Sequence, residues 1–293
     1  MIKNKSFIIG IIMLSFLLLI MVIGPYLPFV EQEITEETLR ISEDGFERAP
    51  FPPSSDNPFG TDSKGRDLLS LVIHGAKDTI FIVLLITLIR YFVAIPLALA
   101  AISEKGPFYW LMSGWNRVFS ALPPIFSAIL LMNIPFFVFS DHRLIAVIII
   151  LAFIEVGRVS YILQQEGRGV ANSLYVEAGV TIGNTSRELA YRYYFPALLP
   201  SIIVNFFSDL GKVLILIGQL GVFSIFITQT WIQLGAGFGE IQNTSYNWAT
   251  LLGETRTSIR SATWIPLFPA LAITYTVIGF YLIGEGLRAH FNR

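Results

Sequence analysis

Charged side chains set inside apolar runs are the first residues of this chain whose type and place demand a chemical explanation. Arg90 stands within one such run, and Asp209 and Lys212 stand within another. A charge at the centre of a bilayer costs a few kcal/mol even on the lenient insertion scale, so these three residues must face protein or water rather than lipid. Asp209 and Lys212 are three residues apart, share a helix face and can neutralise each other. Two arrangements satisfy that constraint: a structural ion pair, or the lining of a polar cavity.

A second group is Gly60-Thr61-Asp62-Ser63-Lys64-Gly65-Arg66-Asp67. Glycines beside a basic residue can cradle an anion. The same residues also make a compact turn, in which Gly60 and Gly65 permit tight backbone, Asp62 caps the segment after it, and Arg66 pairs with Asp62 or Asp67. Other chemistries are missing. Gly211-Lys212 has Phe206 where a nucleotide-binding loop needs its first glycine, and no Gly-x-x-x-x-Gly-Lys-Ser/Thr run exists elsewhere. There is no His-Glu-x-x-His, no cysteine, and the histidines (His74, His142, His290) are too scattered for a metal site. No residue is assigned a catalytic role, and no metal site or cofactor is expected in this chain.

The elements that position these residues are hydrophobic spans. The chain has 293 residues, 54% hydrophobic and 14% charged, against about a quarter charged in soluble domains. Its mean hydropathy is +0.64, and the balance places it in a membrane. A helix crossing about 30 Å of hydrocarbon needs about 20 apolar residues. Six runs qualify, at roughly Phe7–Gly24, Ile80–Ile102, Val118–Phe139, Leu144–Phe153 extended through Leu163, Leu198–Ile227 and Ala262–Ile283. The expected fold is therefore all-α and polytopic, with six transmembrane helices. Glu155 and Arg158 interrupt the fourth run and read as its approach to the water interface. Lys3 and Lys5 precede the first run, but its length and Gly24-Pro25-Tyr26, which offers no small-x-small cleavage site, indicate a retained anchor rather than a cleaved signal.

Lys and Arg in the short loops place both termini in the cytoplasm. The acids Glu31, Glu33, Glu36, Glu37, Glu43, Asp44 and Glu47 then crowd one external segment. That position argues against nucleotide chemistry for the 60–67 turn. The chain divides into residues 1–79, an anchor helix with a polar external segment of little apolar periodicity, and residues 80–293, a five-helix core. Trp231, Trp248 and Trp264 fall near interfaces and read as belt anchors. A net charge of −1 offers no bulk attraction to nucleic acid.

The long cytoplasmic connection, 158–196, contains a short helix from Ser173 to Ile182. Gly183-Asn184 stops it, and Thr185 or Ser186 caps the next helix. That second helix bends or ends at Pro196. From periodicity alone the pair could simply be a connection lying at the interface.

The motifs say more than the periodicity. Glu177-Ala178-Gly179, followed by Gly183 and Pro196, resembles the EAA loop of bacterial ABC importer permeases, with glycine at the third position where alanine is usual. Residues 57–67, with Gly75-Ala76 after them, are similar to the Pro-x-Gly-Thr-Asp-x-x-Gly-Arg-Asp signature of the dipeptide, oligopeptide and nickel subfamily, C-type subunits. Ala121-Leu122-Pro123-Pro124, Leu267-Phe268-Pro269-Ala270-Leu271-Ala272 and Leu282-Ile283-Gly284-Glu285-Gly286-Leu287-Arg288 also resemble that family. Together these marks cover residues 57–293 in the expected order.

The resemblance implies a type I ABC importer permease fold in a bacterial plasma (inner) membrane. It implies a homologous second permease, two ATPase subunits that bind the ATP and Mg, and an extracellular or periplasmic binding protein. Tyr175, Glu177, Ala178, Gly179 and Gly183 would form the helix that couples to the ATPase. Arg90, Asp209 and Lys212 would line the translocation path, or contact the partner permease. Gly60, Thr61, Asp62, Gly65, Arg66 and Asp67 would form an external turn that could touch the binding protein. Peptides are the implied cargo, with nickel or a metal chelate as an alternative. A proton-coupled carrier, from another class, rests on Asp209 alone. Gly218 to Phe226 and the longer piece from Thr228 to Tyr246, with Gly235-Ala236-Gly237, depart from the family pattern.

Overall fold

The computed structural model describes residues 4–42, 45–140, 142–235 and 238–291, the backbone alone at 42 and 230–242. Helix α1 (Lys5–Ile23) begins at Asn4, whose side chain accepts from the Ser6 amide. A hairpin of β1 (Leu39–Ser42) and β2 (Gly45–Arg48) comes after it. Helix α2 (Leu68–Ala100) is capped by Asp67, which accepts from the Ser70 amide at 2.8 Å. Next come α3 (Pro107–Ser120), α4 (Pro124–Met132), α5 (Pro135–Val138), α6 (Arg143–Ile154), α7 (Val156–Ala171), α8 (Leu174–Thr181) and α9 (Ser186–Leu189). The chain closes with α10 (Phe195–Val222), the hairpin β3 (Gln229–Gly235) and β4 (Phe238–Asn243), α11 (Trp248–Leu251), α12 (Thr255–Ser258) and α13 (Trp264–Phe291).

Five helical stretches are long and apolar enough to cross a membrane: Lys5–Tyr26, Leu68–Ala100, Arg143–Ala171, Ser186–Val222 and Trp264–Phe291. Their shared core is aliphatic, with Val83, Ile86, Leu151, Leu214 and Ile217 buried between α2, α6 and α10. Helix α1 lies along α13, where Gly10, Gly279 and Gly286 let the two backbones approach closely. The start of α1 meets the end of α13, Asn4 donating to the Gly286 carbonyl. The end of α7 meets the end of α2 and the start of α10, Gly167 packing against Ile102 and Leu198. Both ends of the described chain and the link between α7 and α9 therefore share one end of the bundle; that link is shorter than the expected 158–196 connection, because residues up to Ala171 continue the fourth span and those from Ser186 begin the fifth.

The structure alters several expectations. The second helix starts at Leu68, not near Ile80, because its early polar groups find partners in distant segments: His74 bonds the Glu31 carbonyl and Asp78 accepts from Ser245. The third run is not one rod: α3 and α4 meet at 93°. Consecutive prolines at 123 and 124 remove two amide donors, and Leu122, preceding a proline, is disfavoured from helical backbone. The last helix-to-membrane transition does not end at Pro196. A π-helical turn, Ala190–Tyr194, takes up one extra residue, with the Phe195 amide bonded to the Ala190 carbonyl, and helix runs on from Ser186 to Val222.

Glu155 and Arg158 do not mark the water interface, since helix continues past them to Ala171 and both enter a buried ion cluster. The polar segment after α1 is more than loop: the β1–β2 hairpin forms there, and Val30 and Phe51 are buried. Trp248 is no belt anchor. It is 1% exposed and its indole donates to the Val72 carbonyl at 2.8 Å. Trp264 donates to the Thr61 carbonyl. The Trp231 side chain, Ala236 and Gly237 lie outside the described residues. Arg143 is buried and donates to the carbonyls of Met132, Phe137 and Phe226, tying the broken span to the segment that follows α10.

Candidate functional site

Arg90, Asp209 and Lys212 do come together, and they do so with two residues from α7 and its start. The Asp209 carboxylate accepts from Lys212 Nζ at 3.0 Å, from Arg158 Nη2 at 3.2 Å and from the Tyr91 hydroxyl at 3.3 Å, while Arg90 Nη1 lies 3.9 Å away. Arg158 also pairs with Glu155. Arg90, 1% exposed, is pinned by the Leu151 carbonyl at 2.9 Å and by that of Ala152 at 3.4 Å. These carbonyls belong to the last turn of α6, whose dipole favours a cation there.

One wall of this cluster opens on a cavity of about 730 Å³. Arg90, Glu155, Arg158 and Lys212 line it, together with Val213, Leu216 and Gln219 of α10 and residues 119–125 at the break between α3 and α4. Asp209 sits behind the cations rather than on the cavity surface. The sequence reading found three members of the cluster and missed Arg158 and Glu155. The signal was present, because Glu155 and Arg158 repeat within an apolar helix the i, i+3 opposite-charge spacing of Asp209 and Lys212.

A second feature lies at the end of the bundle that gathers the chain ends. Helix α8 carries Glu177 in its first turn and is held on one side only. Val176 and Gly179 face inward, while Leu174 is 83% and Ile182 77% exposed, with Tyr175, Glu177 and Ala178 exposed beside them. The helix ends in a Schellman arrangement: Asn184 donates to the Gly179 carbonyl and Gly183 to that of Val180, with Gly183 at φ +87°. Thr185 then opens α9 through a reciprocal cap with Glu188. Gly179 has a packing reason to replace the usual alanine, since a Cβ there would lie 2.8 Å from the Tyr193 ring. That ring stacks on Tyr175 and its hydroxyl accepts from Asn184, so the π turn braces α8.

Gly183→Ala places a side chain in left-handed backbone and is expected to cost about 1 kcal/mol locally. Limited proteolysis should then cut within 173–186 faster than in the parent; equal cutting would mean that the turn does not hold the helix.

The 60–67 residues form the compact turn. Asp62 accepts from the Lys64 and Arg66 amides and from Arg66 Nε at 2.7 Å, so Arg66 pairs with Asp62, while Asp67 serves as the cap of α2. Burial works against the Arg66 charge, but the hydrogen bond and attraction to Asp62 outweigh it and raise its pKa above the ordinary value. Gly60 and Gly65 have φ of +73° and +77°, and a Cβ at Gly65 would fall on the Glu37 carbonyl oxygen. Thr61 and Phe51 exchange hydrogen bonds. This is a compact turn held by its own bonds and by Glu36, Glu254 and Trp264 from outside it, and Asp62, Lys64, Arg66, Tyr246 and Glu254 line a second cavity of about 490 Å³ beside it. Among the described residues no group of three or more His, Cys, Asp or Glu could hold a metal ion.

A protein family described as the binding-protein-dependent transport system inner membrane component matches residues 91–293. The chain is 27% identical over 290 residues to the dipeptide transport system permease protein DppC of Bacillus subtilis (strain 168), covering 98% of this chain and 81% of that protein. It is 25% identical over 297 residues to the oligopeptide transport system permease protein OppC of Haemophilus influenzae, covering 98% and 84%. The probable D,D-dipeptide transport system permease protein DdpC of Escherichia coli (strain K12) is 25% identical over 286 residues, covering 94% and 84%.

Proposed function

This chain belongs to the binding-protein-dependent transport system inner membrane components, and from that premise we propose that it is the pore-forming permease subunit of an ATP-driven peptide importer. The observation that carries the ATP-driven part is α8: a short capped helix, braced from one side by Tyr193 and presenting Leu174, Tyr175, Glu177 and Ile182 outward. Large apolar side chains left exposed on a braced helix at the polar end of a bundle are an unfilled protein interface. The occupant in this reading is an ATPase subunit, which supplies ATP and Mg binding that this sequence lacks. The end bearing α8 and both chain ends is cytoplasmic, consistent with the distribution of Lys and Arg in short loops.

Cargo delivered by a binding protein would enter from the opposite end, where the 60–67 turn and the two hairpins lie. It would pass the charged cavity, with a second, homologous permease completing the path. Nucleotide-driven closure of two ATPases would displace α8, and α7 and α10, joined to it at both ends, would carry that displacement into the walls of the cavity. Peptide as cargo is drawn from the named roles of the relatives. A proton relay has no support from Asp209, which is held among Arg90, Arg158 and Lys212.

Purification of this chain from its host membrane in mild detergent should bring ATPase polypeptides with it. Reconstituted, the complex should import labelled peptide only with nucleotide and binding protein. Uptake that continues without nucleotide would overturn the proposal.

A further inference from the structure

The 730 Å³ cavity holds more positive charge than its own acids neutralise. Arg90, Arg158 and Lys212 meet only Asp209 and Glu155 in the cluster, which leaves one positive charge in excess. Both acids are already committed: Asp209 to Lys212, Arg158 and the Tyr91 hydroxyl, and Glu155 to Arg158. Asp209 lies behind the cations and cannot meet an incoming ammonium group, and the Glu155 side chain, paired with Arg158, is only 11% exposed. Among the cations, Arg90 is buried and fixed by two backbone carbonyls.

Lys212 is different. Its side chain is 47% exposed and reaches Asp209 through a single contact, which leaves donors of its ammonium group directed at the cavity. Apart from Ser120 and Gln219, the rest of the wall is apolar, with Leu122, Pro123, Val213 and Leu216 among its residues. Apolar walls lower the local dielectric, so an unbalanced charge beside them attracts an anion more strongly than it would in open water.

We infer that this cavity receives the C-terminal carboxylate of the cargo, with Lys212 as the group that binds it, and that the cargo's amino terminus is not read here. The inference rests on the peptide-import reading of the chain. It turns a general polar lining into a charge filter: one end of the substrate is recognised, the other passes unexamined.

The test uses the whole transporter in proteoliposomes, with a peptide lacking acidic side chains and its C-terminal amide, each saturating the binding protein. Losing a charged hydrogen-bond partner costs roughly tenfold or more. Lys212→Met should therefore slow uptake of the free acid about tenfold while changing that of the amide less than about twofold, and Lys212→Arg should keep most of the acid rate. Equal slowing of acid and amide, or no slowing of either, overturns the carboxylate assignment.

The parent reading is checked separately, because the chain has no cysteine to give background. With Gln219→Cys, modification by a bulky water-soluble thiol reagent should block uptake if the cavity is the path. Absence of labelling in every nucleotide state would remove the path itself, whereas labelling and block with failed Lys212 results would remove only the carboxylate assignment.

Discussion

Asp209→Asn is expected to destabilise the assembled permease more than any other single change in the membrane-spanning region. It turns the carboxylate shared by Lys212, Arg158 and Tyr91 into a neutral amide with one acceptor oxygen and removes the counter-charge of Arg90, leaving only Glu155 as an anion among three cations. Breaking a buried ion pair from one side costs about 3–5 kcal/mol, because the remaining charge stays out of water without a partner. Arg90 is the residue that suffers most, since it is 1% exposed and held in place by the α6 carbonyls. Detergent-extracted complex should show a Tm lower by about 5 °C or more, or a marked loss of intact complex at fixed temperature. Adding Arg90→Met to the same chain should restore part of the loss, because the stranded charge is then gone. Unchanged stability of the single variant, or no recovery in the double one, would mean that the cluster is solvated and that its short contacts carry little energy.

The second large effect is functional. Glu177→Lys reverses the one charge in the first turn of α8, where the helix dipole prefers an acid, and does so on the exposed face. The side chain touches nothing that holds the bundle together, so the fold should survive. What changes is the proposed docking of α8 to its ATPase, where reversing a charge at the contact and setting a cation against the helix N-terminus works against the seated geometry. Uptake should fall about tenfold or more, while hydrolysis continues at its basal rate and no longer responds to loaded binding protein. Uptake that stays within about twofold of the parent would show that α8 is not the element through which the motor acts.

Much of this molecule was legible in its sequence because the bilayer imposes so few solutions. Apolar runs of spanning length must be helices, since lipid satisfies no backbone donor, and five of the six runs appear as straight or gently bent spans. The short helix before Gly183 was legible for a local reason: serine, glycine, asparagine and threonine fix where a helix can begin and end, whatever surrounds it. So was the pairing of Asp209 with Lys212, which needs only helical spacing. The opposite proline signals at 123–124 and 196 show where local rules stop. Both remove donors, yet the first breaks a span at 93° and the second is absorbed by a π turn within a continuous helix. What separates them is the packing around each site.

Only the tertiary structure could decide that Arg158 and Glu155 belong to the Asp209 cluster, since that requires α7 and α10 to lie side by side. It also decided that Trp248 is a core residue and that Arg143 holds three carbonyl oxygens from separate segments. The physical reason is common to all of these. Spacing along one helix determines which side chains share a face, but a charge or an indole buried between helices is stable only through partners far away in the chain, and those partners exist only once the helices have packed.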